Sequence, residues 1–176
     1  MSEIQRPLPE TYWVEPGRFL AGEYPGGEGD FQTRKRLGRL LTAGLDTFID
    51  LTTAGELPPY HSTLTEEANV LELAVTYRRF AIADFGLPTR EQMTRILDAV
   101  DSSLGAGHKV YLHCWGGIGR TGTTVGCYLV RHGMSGEEAL RQLAEWWQGV
   151  PKSAFHPHSP ETLEQMKFIL GWNGLA

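Results

Sequence analysis

The chain has 176 residues, 41% of them apolar and 21% charged, with a formal net charge of −5. That length gives one domain with no room for a second core, and the composition is that of a globular protein, not a disordered one. No run approaches a membrane span, no secretion signal opens the chain, and the acidic balance argues against nucleic acid as a partner.

Residues 18–22 read as a short strand ended by Tyr24-Pro25-Gly26-Gly27. Asp30 is the expected cap of a helix running to about Ala43, with Gly44 closing it. Leu45 to Leu51 is apolar with β-branched residues and reads as a buried strand. Residues 52–63 contain Gly55, Pro58 and Pro59 and read as a loop, followed by a short helix over 66–73 and a strand over 76–82. Thr89 is the expected cap of a helix whose Met93, Ile96, Leu97, Val100 and Leu104 recur at helical spacing. Gly105-Ala106-Gly107 stops it. Val110-Tyr111-Leu112 is a short buried strand, followed by a glycine-rich loop and a helix over 121–131 stopped by Gly133. Ser135 and Glu138 form a capping box for a helix to about Gln148, in which Trp146 reads as core beside Leu143. Ser159 and Pro160 are expected to open the last helix, with Pro at its first position. Strands alternating with helices predict a single α/β domain over 1–176, a mostly parallel central sheet flanked by helices, after a short N-terminal extension over about residues 1–15.

The informative segment is His113-Cys114-Trp115-Gly116-Gly117-Ile118-Gly119-Arg120-Thr121-Gly122. It lies between a strand end and a helix start, where free N–H groups and the helix dipole make an anion site. Glycines at 116, 117, 119 and 122 let the backbone curl around a tetrahedral oxyanion, and Arg120 adds a planar fork for two of its oxygens. The same positive field lowers the pKa of a cysteine thiol, and Cys114 stands where the loop begins. Nucleophile and anion pocket therefore coincide. Gly117-x-Gly119-x-x-Gly122 also fits the dinucleotide fingerprint, but the acidic residues at the required distance, Glu137 and Glu138, sit in the first turn of a helix. That reading leaves Cys114 and Arg120 without roles.

Cys-x5-Arg followed by Thr, preceded by His and closed by Gly, resembles the signature of the cysteine-dependent protein tyrosine phosphatases, most of all their small dual-specificity-like members. The resemblance implies a protein-tyrosine-phosphatase-like fold and a metal-independent, cofactor-free hydrolysis of phosphotyrosine in a phosphoprotein or phosphopeptide through a cysteinyl-phosphate, with phosphoserine and phosphothreonine left open. It makes Cys114 the nucleophile and Arg120 the phosphate clamp, with the N–H groups of Trp115, Gly116, Gly117, Ile118, Gly119 and Arg120 as the cradle. Thr121 stands where a hydroxyl stabilises the departing thiolate, and His113 where a histidine orients the cysteine. The expected general acid is Asp84 in Ile82-Ala83-Asp84-Phe85-Gly86-Leu87-Pro88; Asp98 and Asp101 fall inside the following helix. Some members carry Gln-Thr-x-x-Gln near the C-terminus, the first Gln positioning the hydrolytic water. Here Glu161-Thr162-Leu163-Glu164-Gln165 has Glu at that place, so either Gln165 takes the role or other groups do.

The remaining features read more plainly. His156-Pro157-His158 is a surface turn, with no third ligand for a metal. Cys127 lies in the helix behind the loop and reads as core. With Cys114 it makes too few cysteines for a disulfide framework, so a reducing, cytoplasmic setting is expected. Arg34, Lys35, Arg36 and Arg39 read as a solvated face. Trp115 is expected at the pocket mouth, and Tyr60, Tyr77, Arg78 and Phe85 as candidates for its walls. Positions 115–119 carry no basic side chain, which favours a singly phosphorylated group over an inositol phosphate or phosphoinositide. A module that binds phosphate without turnover is the alternative outside enzymes.

Overall fold

The computed structural model describes residues 4–173. Five strands form one sheet: β1 (Thr11–Glu15), β2 (Phe19–Gly22), β3 (Thr47–Asp50), β4 (Thr76–Arg79) and β5 (Val110–His113), in the order β1-β2-β5-β3-β4. Only β1, on β2, is antiparallel; β2, β5, β3 and β4 run parallel. The α/β architecture with a mostly parallel sheet is therefore the one expected.

The helices are α1 (Gly29–Thr42), α2 (His61–Val70), α3 (Arg90–Gly105), α4 (Gly119–Arg131), α5 (Gly136–Gln148) and α6 (Leu163–Leu170), with a short 3-10 helix at Pro151–Ala154. Alternation along the strands splits the core in two. Phe19, Ala21, Ile49, Val110 and Leu112 point to one face and pack with α3, α4, α5 and α6. Leu20, Phe48 and Tyr111 point to the other, against Leu37, Leu40 and Leu41 of α1 and Leu64 and Ala68 of α2. β5 is buried along its whole length between the two layers, so whatever follows His113 leaves from the middle of the sheet's C-terminal edge. That edge is where open α/β sheets form their crevices.

Several local expectations are corrected. Residues 11–15 belong to the sheet as its edge strand instead of to an extension, while residues 1–3 of that extension lie outside the described residues. Asp30 lies inside the first turn of α1 and accepts from Arg34 Nε at 2.7 Å; the capping position is Glu28, which makes no side-chain cap. α2 begins at His61, five residues before the expected start, because Leu64 and Ala68 bury one face of it. Pro160 does not start α6. The helix opens instead on the capping box of Thr162 and Gln165. In α5 it is Trp147 that is buried, while Trp146 is partly buried and stacks on Tyr12. The capping box of Ser135 and Glu138 and the Thr89 cap form as expected.

Candidate active site

Between the end of β5 and the start of α4 the chain turns back on itself, and its carbonyls are captured one after another. Cys114 O accepts from His113 Nδ1 at 2.9 Å, and Trp115 O from the Tyr24 N–H at 2.9 Å. Gly116 O accepts from the Lys152 ammonium at 3.2 Å, and Ile118 O from the Ser159 hydroxyl at 2.8 Å. In a trans peptide the C=O and the following N–H point in opposite directions. Each captured carbonyl therefore turns the N–H of residue 115, 116, 117 or 119 away from its captor. The N-terminus of α4 adds its own free N–H groups. Gly117 has φ +75°, and a Cβ there would stand 2.6 Å from the Gly22 carbonyl carbon and 2.7 Å from Glu23 N. Only glycine lets the loop rest on the end of β2.

His113 is fully buried. Its Nδ1 faces a carbonyl, which can only accept, so Nδ1 carries the proton and Nε2 accepts from the Tyr60 hydroxyl at 2.7 Å. Burial lowers its pKa, so the ring is neutral. Its ring ties the carbonyl of Cys114 to the Tyr60 hydroxyl.

Arg120 is buried beneath the loop and its Nη groups are fully engaged. Nη1 donates to Glu56 Oε2 and to Ile82 O, both at 2.9 Å; Nη2 donates to Glu56 Oε1 at 2.6 Å and to Asp84 Oδ1 at 3.0 Å. The bond from Arg120 holds the Glu56 carboxyl below the usual carboxylate range.

A cavity of about 330 Å³ opens over this arrangement. Of the residues expected at the site, it brings together Cys114, Trp115, Gly116, Ile118, Gly119, Arg120 and Asp84. Phe85 lines it too, at φ +57°, and with Trp115 it leaves two large aromatic side chains exposed at the mouth. Tyr60 and Tyr77 stay out of it: Tyr60 is buried on His113, and Tyr77 bonds Asp50 at 2.6 Å. Arg78 is also absent from the lining.

Thr121 lies behind the loop, and its hydroxyl donates to Gly22 O at 3.3 Å, not to the Cys114 sulfur. Gln165 is buried, and its side chain is spent in the α6 capping box and on Gly86 O at 3.5 Å. Glu161 stands in the cavity without a hydrogen-bond partner among the described residues, so close to Gly119 that a Cβ there would lie 2.3 Å from its Oε1. Burial, then the charge of Asp84, push its carboxyl up. Cys127 is buried in the core, and burial pushes its thiol well up.

Lys152 and His156 also line the cavity, and neither was expected there. Nor was the role of Glu56 or Ser159. Lys152 comes from the short 3-10 helix and the other three from loops, all without a periodic pattern and far along the chain from Cys114. Of the basic residues on α1, Arg34 binds Asp30, Glu66 and Glu67, and Arg36 binds Glu23, so two of the four are structural.

Residues 9–165 match the family model described as PTP-SAK, Swiss Army Knife protein, DSP-PTPase phosphatase domain. The chain belongs to that family. The PTP-SAK domain is 29% identical over 138 residues to protein tyrosine phosphatase domain-containing protein 1 of Mus musculus, covering 73% of this chain and 18% of that protein. It is 32% identical over 88 residues to tyrosine-protein phosphatase cdc-14 of Caenorhabditis elegans, covering 48% of this chain and 11% of that protein. The chain thus spans less than a fifth of the length of these relatives. Among solved structures it is similar to Tk-PTP in the active form, with a TM-score of 0.71 and 25% identity, over 96% of this chain and 99% of that one.

Proposed function

We propose that the PTP-SAK domain hydrolyses phosphotyrosine monoesters in a protein or peptide through a phosphocysteine at Cys114. The observation that carries this is the meeting of Cys114, Arg120 and Asp84 in one cavity, at a loop whose carbonyls are captured one after another. In the first step the Cys114 thiolate attacks phosphorus, the bond to the ester oxygen breaks, and protonated Asp84 gives its proton to that oxygen. In the second, water attacks phosphorus, Asp84 takes its proton, and the S–P bond breaks to return the thiolate and inorganic phosphate. The loop N–H groups and Arg120 stabilise the charge on the equatorial oxygens in both steps. Thr121 serves the leaving thiolate by turning its hydroxyl from Gly22 O. Phe85 and Trp115 suit the flat faces of a tyrosyl ring. Gln165 keeps the Asp84 loop in place through Gly86 O, and no water-positioning role is assigned to it.

The reading needs no metal or cofactor and requires a reduced thiol, which favours a cytoplasmic setting. Among the described residues no helix is long and apolar enough to cross a membrane. Lys152 brings positive charge to the cavity, which bears on a multiply phosphorylated substrate. Lys152 is ion-paired with Glu23, however, and Asp84 and Glu161 line the same cavity, so a second phosphate would face two carboxyl groups.

Phosphate release from a phosphotyrosine peptide, a phosphothreonine peptide and an inositol polyphosphate, with Cys114→Ser as the blank, tests the proposal. Release from the phosphotyrosine peptide that vanishes in the variant is expected. Preference for the inositol compound would overturn the substrate class, and binding without release would make the domain a phosphate-recognising module.

A further inference from the structure

Lys152 is far from the loop in sequence, yet its ammonium is the group that captures the Gly116 carbonyl. The lysine is itself held at both ends. Its backbone N–H donates to Glu10 Oε2 at 3.0 Å, and its ammonium is ion-paired with Glu23. Glu23 in turn is fixed by Arg36 at 2.6 Å and by the Tyr111 hydroxyl on its carbonyl. The segment from Gly22 to Tyr24 is the surface on which the loop rests, as the Gly117 contacts and the Tyr24 N–H to Trp115 O bond show. Lys152 therefore ties the Gly116 carbonyl to Glu23, at the end of β2.

We infer that Lys152 is a positioning residue for the anion loop: by holding the Gly116 carbonyl toward Glu23 it keeps the Gly117 N–H aimed into the cradle. The Gly116–Gly117 unit is the part of the loop most in need of such a tie. Both residues lack a Cβ, so rotation of the peptide between them meets little steric resistance. The other captured carbonyls are held by backbone or by buried side chains, whereas this one depends on a partly exposed cation anchored by a single carboxylate. A flipped Gly116 carbonyl would present a lone pair to the phosphate where a donor is needed, which costs more than the loss of one hydrogen bond.

This inference rests on the loop being a phosphate site, and tungstate is the probe that separates the two. Tungstate affinity is measured by isothermal titration calorimetry for the wild-type chain and for K152M, K152R and E23Q, with phosphate release and thermal unfolding of each. Lys152→Met is expected to weaken tungstate by about tenfold, the weight of one charge-assisted hydrogen bond. Lys152→Arg should restore most of that, since its fork reaches the same carbonyl and carboxylate. Glu23→Gln keeps the lysine charge but removes its anchor, so it should weaken tungstate as well. If Lys152 instead touched the anion directly, freeing it from Glu23 would tighten binding, and that result overturns the inference. Wild-type affinity in K152M overturns it too. A wild-type chain that neither binds tungstate nor releases phosphate overturns the proposed function and this inference together, whereas failure confined to the variants leaves the function standing.

Discussion

Asp84 Oδ1 lies 3.0 Å from Arg120 Nη2. The carboxylate assigned to proton transfer thus occupies a donor of the guanidinium assigned to phosphate. With Glu56 and Ile82 O on the remaining Nη hydrogens, Nε–H is the one donor of Arg120 left unengaged among the described residues. A phosphate gripped by Nε–H and Nη2–H together would take the place of Asp84 on Nη2, and that displacement would free the carboxyl to turn to the leaving oxygen.

Replacing Asp84 by Asn removes the negative charge that competes for Arg120 and the proton donor, leaving only a neutral amide acceptor, so binding and turnover should move in opposite directions. Tungstate affinity of D84N should rise severalfold. Turnover of an alkyl phosphate, whose leaving oxygen needs the proton, should fall about a hundredfold or more. Affinity and turnover measured on the same preparation check this. Unchanged turnover of a poor leaving group would remove Asp84 from the mechanism.

Gly117→Ala should be among the most damaging single-atom changes in the chain. It places a Cβ 2.6 Å from the Gly22 carbonyl carbon at a φ of +75°. The loop must lift from β2, which undoes the capture of Trp115 O and Gly116 O as well. We expect a loss of stability of about 2 kcal/mol in chemical denaturation and loss of tungstate binding at concentrations that saturate the wild type.

The Glu56–Arg120 pair predicts a pH-dependent contribution to stability. Arg120 depresses the folded-state pKa of Glu56. A depressed carboxyl stabilises the fold above its unfolded value and loses that contribution as the pH falls through the folded value. Glu56→Gln should therefore cost about 2 kcal/mol at neutral pH. The gap from wild type should close as the pH drops below about 4. Denaturation midpoints across that range test it.

Glu161 runs the other way. Its folded-state pKa is raised by burial and by Asp84, so the fold loses stability as the pH rises from the unfolded value through the folded one. Glu161→Gln removes that loss and a carboxylate facing the phosphate. At neutral pH the variant should be at least as stable as the wild type and bind tungstate severalfold more tightly. Weaker binding would show that Glu161 contributes a contact to the bound anion.

The loop was legible because its chemistry is local. Cys114, the glycines and Arg120 stand within a few residues of one another, and the flanking strand and helix are strongly patterned. Thr89, Ser135 and Glu138 were legible for the same reason, since a cap is read over a few residues. The start of α2 was hidden by Pro58-Pro59 and by a capping position, Tyr60, with no side-chain bond to mark it. Thr162 and Gln165 compete with Ser159-Pro160 as a helix start, and the capping box wins because it satisfies two free N–H groups. The groups that hold the loop from outside were out of reach. Glu56 meets it because the sheet order sets β3 beside β5, and Lys152 and Ser159 because α5 and α6 pack on α4, and nothing in their own neighbourhoods reports that.

The most direct test of the account is to quench the domain with acid while it turns over a phosphotyrosine peptide and map its peptides by mass. The account predicts the mass of one phosphoryl group on the peptide that carries Cys114, absent without substrate and absent in Cys114→Ser. Phosphate release that continues in Cys114→Ser, or a phosphoryl group trapped on any other residue, would contradict it.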